Sequence, residues 1–164
     1  MPESAERQKS TRKRSRPYTG SQVKLVVIGR PVIADGPSYV ISTPENVWEL
    51  PVLRELMDQA DREIFVCLHL STKNRLISWE MVSIGSLNAS IVHPRELFKG
   101  ALLANAASVV VAHNHPSGDP TPSGADIQLT RRLGKAGDVL GIDVLDHVIF
   151  GEDGVVSMRD LGLM

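Results

Sequence analysis

Cysteine is almost missing from this 164-residue chain, in which Cys67 stands alone. A disulfide framework is therefore excluded, and so is a cysteine-rich zinc site. A single cysteine suits a reducing compartment. Cys67 lies in the apolar run "IFVCLHL", where a small buried hydrophobe is expected rather than a nucleophile. Long apolar runs are missing as well. None approaches the ~18 residues of a membrane-spanning helix. The basic N-terminal stretch is not followed by an apolar core and a small-residue cleavage site, so no secretory signal is expected. No membrane partner is expected, and the expected location is the cytoplasm. A strong overall charge is also lacking, with a net of −1. That balance hides an asymmetry. Residues 1–16 hold Arg7, Lys9, Arg12, Lys13, Arg14 and Arg16 against Glu3 and Glu6, a net of +4, so the remainder carries −5. An acidic body does not imply a general nucleic-acid-binding face.

What is present divides into three parts. Residues 1–20 are polar and basic without an apolar period, and are expected to be a disordered tail. Residues 21–40 form a strand and linker, the strand being "VKLVVIG" (Val23–Gly29). Residues 41–164 form the domain. Thr43, Pro44 and Glu45 spell a helix start, with Thr43 as N-cap and Pro44 as first helical residue. Pro51 then splits the segment into two short helices, the second with Leu53, Leu56 and Met57 as its apolar stripe. "EIFVCLHL" (Glu63–Leu70) reads as a buried strand and "RLISWEMVSIG" (Arg75–Gly85) as its hairpin partner. The loop "SLNAS" follows. A helix from Pro94 presents Leu97, Phe98, Ala101, Leu102 and Ala104 on one face. "SVVVAHNH" is a strand stopped by Pro116, and a helix from near Ser123 presents Leu129, Leu133, Ala136 and Leu140. "DVLDHVIFG" and "GVVSM" form a last hairpin. Hairpins mixed with β-helix-β connections predict an α/β (α+β) fold, a mixed sheet with helices packed on it.

The chemistry concentrates in "AHNHPSGDPTPSGAD" (Ala112–Asp126). Residues two apart on a strand share a face, so His113 and His115 can converge on one point. Pro116 ends the ladder just beyond them. Three prolines and Gly118 stiffen the return of the chain to Asp126. Two neutral imidazoles and one carboxylate can supply the three protein ligands of a catalytic zinc (Zn2+) with water in the fourth position. The same residues also have a purely structural explanation. "SGAD" fits a capping box, with Ser123 as N-cap and Asp126 reaching back to its amide, and two histidines at a strand end can simply face solvent.

The spacing H-x-H-x7-S-x2-D, here His113, His115, Ser123 and Asp126, resembles the JAMM (MPN+) metalloprotease signature. From about Tyr39 to Leu163 the surrounding sequence is similar to the RadC family in particular. The resemblance implies a JAB/MPN-like, cytidine-deaminase-like mixed sheet flanked by helices. It implies zinc on His113, His115 and Asp126, and hydrolysis of a peptide or isopeptide bond. Ser123 would support the oxyanion, and Glu63, opening its buried strand, would be the general base. Two departures stand out. RadC proteins usually carry an N-terminal helix-hairpin-helix region, and the residues before the resemblance are too few and too polar for one. "HLSTKN" also replaces the family's usual Leu-Asp-x-Lys-Asn, which alters a turn.

Other residues carry plainer expectations. His93 starts a helix, His69 sits on a polar strand face, and His147 either packs or supports the ligand shell. Glu80 is a reserve candidate for the base. Arg131, Arg132 and Lys135 lie off their helix's apolar stripe and are expected to be solvated. The expected partner is a peptide or protein substrate. Nucleic acid contact is conceivable only through the basic tail, and a homodimer through an exposed sheet edge. The competing function is a non-catalytic, metal-stabilised binding module in a DNA-processing complex, in line with the DNA-repair association of the RadC name. A zinc deaminase is excluded by the missing H-x-E…P-C-x-x-C ligands.

Overall fold

The computed structural model describes residues 39–57, 60–85, 92–152 and 154–164. The basic tail, the strand expected at Val23–Gly29 and the loop "SLNAS" lie outside these residues. The described chain runs α1 (Pro44–Trp48), α2 (Pro51–Met57), β1 (Glu63–Leu70), β2 (Leu76–Gly85), α3 (Pro94–Leu103), β3 (Ser108–Asn114), α4 (Gly124–Leu140), β4 (Asp143–Gly151) and β5 (Gly154–Ser157). The strands form one sheet in the order β2-β1-β3-β4-β5. β1 is antiparallel to both β2 and β3, β3 and β4 are parallel, and β4 and β5 are antiparallel. This is the mixed α+β architecture expected from the sequence.

Strand parity sorts the side chains into two cores. Ile64, Val66, Leu68 and Leu70 of β1 pack with Val110, Ala112, Val148 and Phe150 under Val47 of α1, Leu53 and Met57 of α2, and Leu50 between the two helices. Phe65 and Cys67 face the other way, with Val109 and Val111, under Leu97, Phe98 and Ala101 of α3 and Leu129 and Leu133 of α4. Helices therefore cover both faces of the sheet. That explains why β1 and β3 read as unbroken apolar runs rather than alternating ones.

The double cover corrects one expectation. His69 does not sit on a polar face; it is 1% exposed. Its Nδ1 lies 2.8 Å from Ser78 Oγ, and its Nε2 lies 3.5 Å from Glu80 Oε1. Alternation aims His69 at α3 instead of solvent. There Gly100 leaves the space that Glu80 fills, since a Cβ at Gly100 would fall 2.0 Å from Glu80 Oε1. A second correction concerns the outer ends of the apolar stripes. Leu102 is 53% exposed and Leu140 43%. Both line an exposed groove between α3 and α4, together with Phe98, Ala136 and Val139. The expected solvation of the basic residues on α4 holds in the main, but Arg132 also donates to the Val92 carbonyl at 2.6 Å, tying α4 to the start of α3.

α4 carries the site and its seat is tight. Gly141 takes the left-handed conformation (φ 68°) at its C-cap, the usual role of glycine there. Within the helix, a Cβ on Gly137 would fall 2.4 Å from the backbone oxygen of Ile142, whereas one on Gly134 would meet nothing within 4 Å. Alanine is worth up to ~1 kcal/mol over glycine in a helix, while overpacking costs about 1–3 kcal/mol. Gly137→Ala should therefore lower the unfolding free energy and Gly134→Ala should raise it. Urea melts of the two variants check this opposition of sign.

Candidate metal centre

β3 delivers the first candidate ligand. His113 shares its parity with Val109 and Val111, so its ring points toward α4, where Phe65 stacks on it at 5.7 Å between centroids. His115 lies just beyond the strand. Its N–H still donates to the Phe150 carbonyl at 2.9 Å, and then Pro116, with no N–H, lets the chain leave the sheet. The loop that follows lies against the β4–β5 turn, where Glu152 N–H donates to the Gly118 carbonyl at 2.8 Å. Gly118 has a φ of 85°, a conformation that favours glycine. This path brings the Asp119 carbonyl to 2.7 Å from His115 Nδ1. A carbonyl only accepts, so His115 carries a proton on Nδ1, and in the neutral ring Nε2 is the lone pair.

α4 delivers the third candidate ligand through its own cap. Ser123 N–H and Ser123 Oγ–H donate to Asp126 Oδ2 at 2.7 and 2.5 Å, and Asp126 N–H donates to Ser123 Oγ at 3.2 Å. The capping box and the ligand position are one structure. Asp126 Oδ1 stands 3.4 Å from His113 Nε2, and Asp126 Oδ2 stands 3.5 Å from His115 Nε2. The two imidazole Nε2 atoms are 3.0 Å apart. The donor atoms of His113, His115 and Asp126 all lie within 4.8 Å of one another.

This set fits a zinc ion. Zinc–nitrogen bonds of about 2.0–2.1 Å in tetrahedral geometry put donor atoms roughly 3.3 Å apart, close to the spacings found. The nitrogen and oxygen donors are of the borderline-to-hard kind that zinc accepts. Converging lone pairs and a carboxylate also call for a cation between them. Burial pushes the His113 pKa down to about 4, against the pull of Asp126, so its ring is neutral at pH 7. The hydrogen bond with Asp126 raises the His115 pKa despite partial burial. Burial acts to raise the Asp126 pKa, but hydrogen bonds from His115 and Ser123 outweigh it and hold the carboxyl below its ordinary value.

Glu63 stands beside this set without belonging to it. Its Oε1 is 3.9 Å from His113 Nε2, and its side chain is 18% exposed. Burial and then the Asp126 charge raise its pKa, with His115 opposing. The strand pairing of β1 with β3 ends at Phe65 opposite His113, and beyond that the backbones separate around the site. Asn114 spans the gap. Its Oδ1 accepts from Ile64 N–H at 2.7 Å and its Nδ2 donates to the Arg62 carbonyl at 3.0 Å. The residue between the two histidines thus clamps both flanks of Glu63. Asn114→Ala should destabilise the fold by about 1–3 kcal/mol, the cost of a buried polar group left unpaired, and should speed hydrogen exchange at the Ile64 amide. It should leave zinc uptake intact.

The other candidates fall elsewhere. Glu80 lies opposite Cys67 in the β1–β2 register and meets His69, not the His113–His115–Asp126 set. His93 is the N-cap of α3, its Nδ1 accepting from Arg95 N–H at 3.1 Å. Cys67 is fully buried, and burial followed by the Glu80 charge pushes its thiol pKa up, as expected of a structural cysteine. His147 is brought to the centre. Its Nε2 lies 2.7 Å from His113 Nδ1 and its Nδ1 lies 2.6 Å from Thr130 Oγ1. Burial, then the neighbouring His113, hold its pKa well below the ordinary value. The one sequence signal was a histidine placed mid-strand among "VLDHVIFG".

A mixed sheet between helix pairs, with two histidines from one strand end and an aspartate from a helix cap, defines an α+β domain with a candidate metal site. Residues 41–163 match the family described as RadC-like JAB domain. The chain is 52% identical over 130 residues to a UPF0758 protein of Methanosarcina mazei, covering 78% of this chain and 55% of that one. It is 54% identical over 125 residues to a UPF0758 protein of Desulforamulus reducens, covering 76% and 54%. A UPF0758 protein of Halalkalibacterium halodurans is 54% identical over 124 residues, covering 76% and 53%. The chain belongs to the RadC-like JAB domain family, and it spans about half the length of the curated relatives it matches. No helix among the described residues is long and apolar enough to cross a membrane.

Proposed function

We propose that the domain is a zinc-dependent hydrolase of peptide or isopeptide bonds, a metallopeptidase of the RadC type. The observation that carries this reading is Glu63, a carboxylate 3.9 Å from His113 Nε2 with a raised pKa. It sits beside the histidine–aspartate set but outside it. His113, His115 and Asp126 would hold the ion, which when bound polarises a carbonyl and lowers the pKa of water from 15.7 toward about 7. Glu63 takes a proton from the attacking water as the C–O bond forms. It returns that proton to the nitrogen as the C–N bond breaks, yielding a carboxylic acid and an amine, and the acid's proton passes to the amine or to solvent. Its raised pKa suits both halves of that transfer. The Ser123 hydroxyl donates to Asp126 at rest. Turned toward the substrate it would donate to the developing oxyanion.

A digest of mixed cellular peptides, read by mass spectrometry for new N-termini, tests the reaction class. New termini should appear with the zinc-loaded protein, vanish with a chelator and return with added zinc. Cleavage that persists in excess chelator would remove zinc from the reaction. A second reading, a metal-stabilised binding module in DNA processing, is favoured by the net +4 of residues 1–16. It predicts salt-dependent DNA binding that is lost when residues 1–20 are deleted.

A further inference from the structure

We propose that His147 and Thr130 are positioning residues that set the tautomer of His113, keeping its proton on Nδ1 so that Nε2 reaches the metal centre as a bare lone pair. The inference rests on the reading of His113, His115 and Asp126 as zinc ligands.

His115 and His113 solve the same problem by different means. The His115 Nδ1 proton is held by the Asp119 carbonyl, a group that can only accept. His113 Nδ1 has no such neighbour; it meets a second imidazole, His147 Nε2, at 2.7 Å. A neutral imidazole has one donor and one acceptor nitrogen, so this contact runs either way. The choice passes along to the 2.6 Å contact between His147 Nδ1 and Thr130 Oγ1. His113 and His147 are 0% exposed and Thr130 is 1% exposed, so bulk water does not set the direction.

The far end of the relay sets it. Thr130 has one hydroxyl proton, and its other two neighbours are the Asp126 carbonyl at 2.7 Å and Met158 Sδ at 3.2 Å. Both only accept. In the forward direction His113 Nδ1–H donates to His147, His147 Nδ1–H donates to Thr130, and Thr130 donates to the Asp126 carbonyl. In the reverse direction Thr130 donates to His147, and His147 Nε2–H donates to His113. His113 then carries its proton on Nε2, aimed at the site. The reverse direction leaves the bond from Thr130 to Asp126 unmade and sends the His113 Nε2 proton to His115 Nε2, 3.0 Å away, a bond that is lost once an ion stands between the two rings; only the forward direction keeps all of its hydrogen bonds with the ion in place. The relay closes within the site's own frame, because the residue whose carbonyl ends it is the one whose carboxylate is the third ligand.

Nitrogen-15 spectra of the histidine rings in the metal-free protein, together with zinc affinity from chelator competition, test the proposal. The wild type should show His113 protonated on Nδ1. Thr130→Val, nearly isosteric, should shift His113 toward the Nε2-protonated form and weaken zinc binding ~10–100-fold, the range for outer partners of metal ligands. Thr130→Ser should restore both readouts. His147→Gln, whose amide oxygen and nitrogen can stand in for Nε2 and Nδ1, should bind zinc more tightly than His147→Leu. A folded Thr130→Val protein with wild-type tautomer and wild-type zinc affinity would overturn the proposal, as would an Nε2-protonated His113 in the wild type. Failure of the wild type to take up zinc would overturn the ligand assignment instead, and the ring spectra would still decide the relay.

Discussion

Glu63→Gln should keep its zinc and lose amide hydrolysis by roughly 10²–10⁴-fold, the usual worth of a general acid–base group. The separation of the two readouts follows from the geometry. Glu63 Oε1 lies 3.9 Å from His113 Nε2, outside the group of donor atoms formed by His113, His115 and Asp126. Glutamine preserves the size of the side chain and the strand start but cannot accept the proton. The loss should fall on kcat, since the proton transfer is made in the transition state. The raised pKa of Glu63 adds a pH signature. Only the ionised form acts as base, so the rate should rise with pH through a value above 4.5 and the acidic limb should vanish in the variant. Equal cleavage by Glu63→Gln and wild type would remove Glu63 from the mechanism.

Asp126→Asn should separate the two roles fused at the start of α4. The amide oxygen can still accept from Ser123 N–H and Oγ–H, where Asp126 Oδ2 now accepts. The amide nitrogen would then stand where Asp126 Oδ1 now lies, 3.4 Å from His113 Nε2, and turn a hydrogen toward it in place of a lone pair. The helix start should survive, with an unfolding midpoint close to wild type, while zinc affinity falls by more than the ~10–100-fold that outer partners cost. The substitution should also shrink the proton release that accompanies zinc binding. In the wild type, the hydrogen bond with Asp126 raises the His115 pKa, and zinc must displace that proton from Nε2. Affinity should therefore rise with pH up to the raised His115 pKa and level off above it. Calorimetry in buffers of different ionisation enthalpy should report the released proton. A zinc affinity unchanged by Asp126→Asn would contradict the assignment of the third ligand.

Much of this site is readable in the chain because its logic is local. Parity places His113 and His115 on one face, Pro116 ends the ladder after them, and the serine–aspartate cap needs only four consecutive residues. Glu63 is reached only through the resemblance to the JAMM signature, which implies a glutamate at the head of a buried strand. What is not readable depends on which elements lie across from one another. His69 alternates like a solvent-facing residue, but α3 covers that face, and only the packed structure buries it against Ser78 and Glu80. His147 pairs across from Val111 in the parallel β3–β4 register, which sets it diagonal to His113. That register is fixed by the crossover through α4, not by any short stretch of sequence. Thr130 looks like an ordinary helical residue until α4 is laid on the sheet. Asn114 reads as a spacer between two ligands, yet its parity turns it to the other face, where it holds Arg62 and Ile64. Leu102 and Leu140 keep helical spacing in sequence and are still exposed, along a groove between α3 and α4, because a periodic stripe does not record how far neighbouring elements cover it.

The central claim is that His113, His115 and Asp126 hold one zinc ion through nitrogen and oxygen atoms alone. X-ray absorption at the zinc edge on the stoichiometrically loaded protein tests it most directly. The account predicts about one zinc per chain, nitrogen and oxygen neighbours near 2.0–2.1 Å, and no sulfur shell at ~2.3 Å. That signal should be lost in His115→Ala. A protein that takes up no zinc, or a zinc signal that is unchanged in His115→Ala, would contradict it.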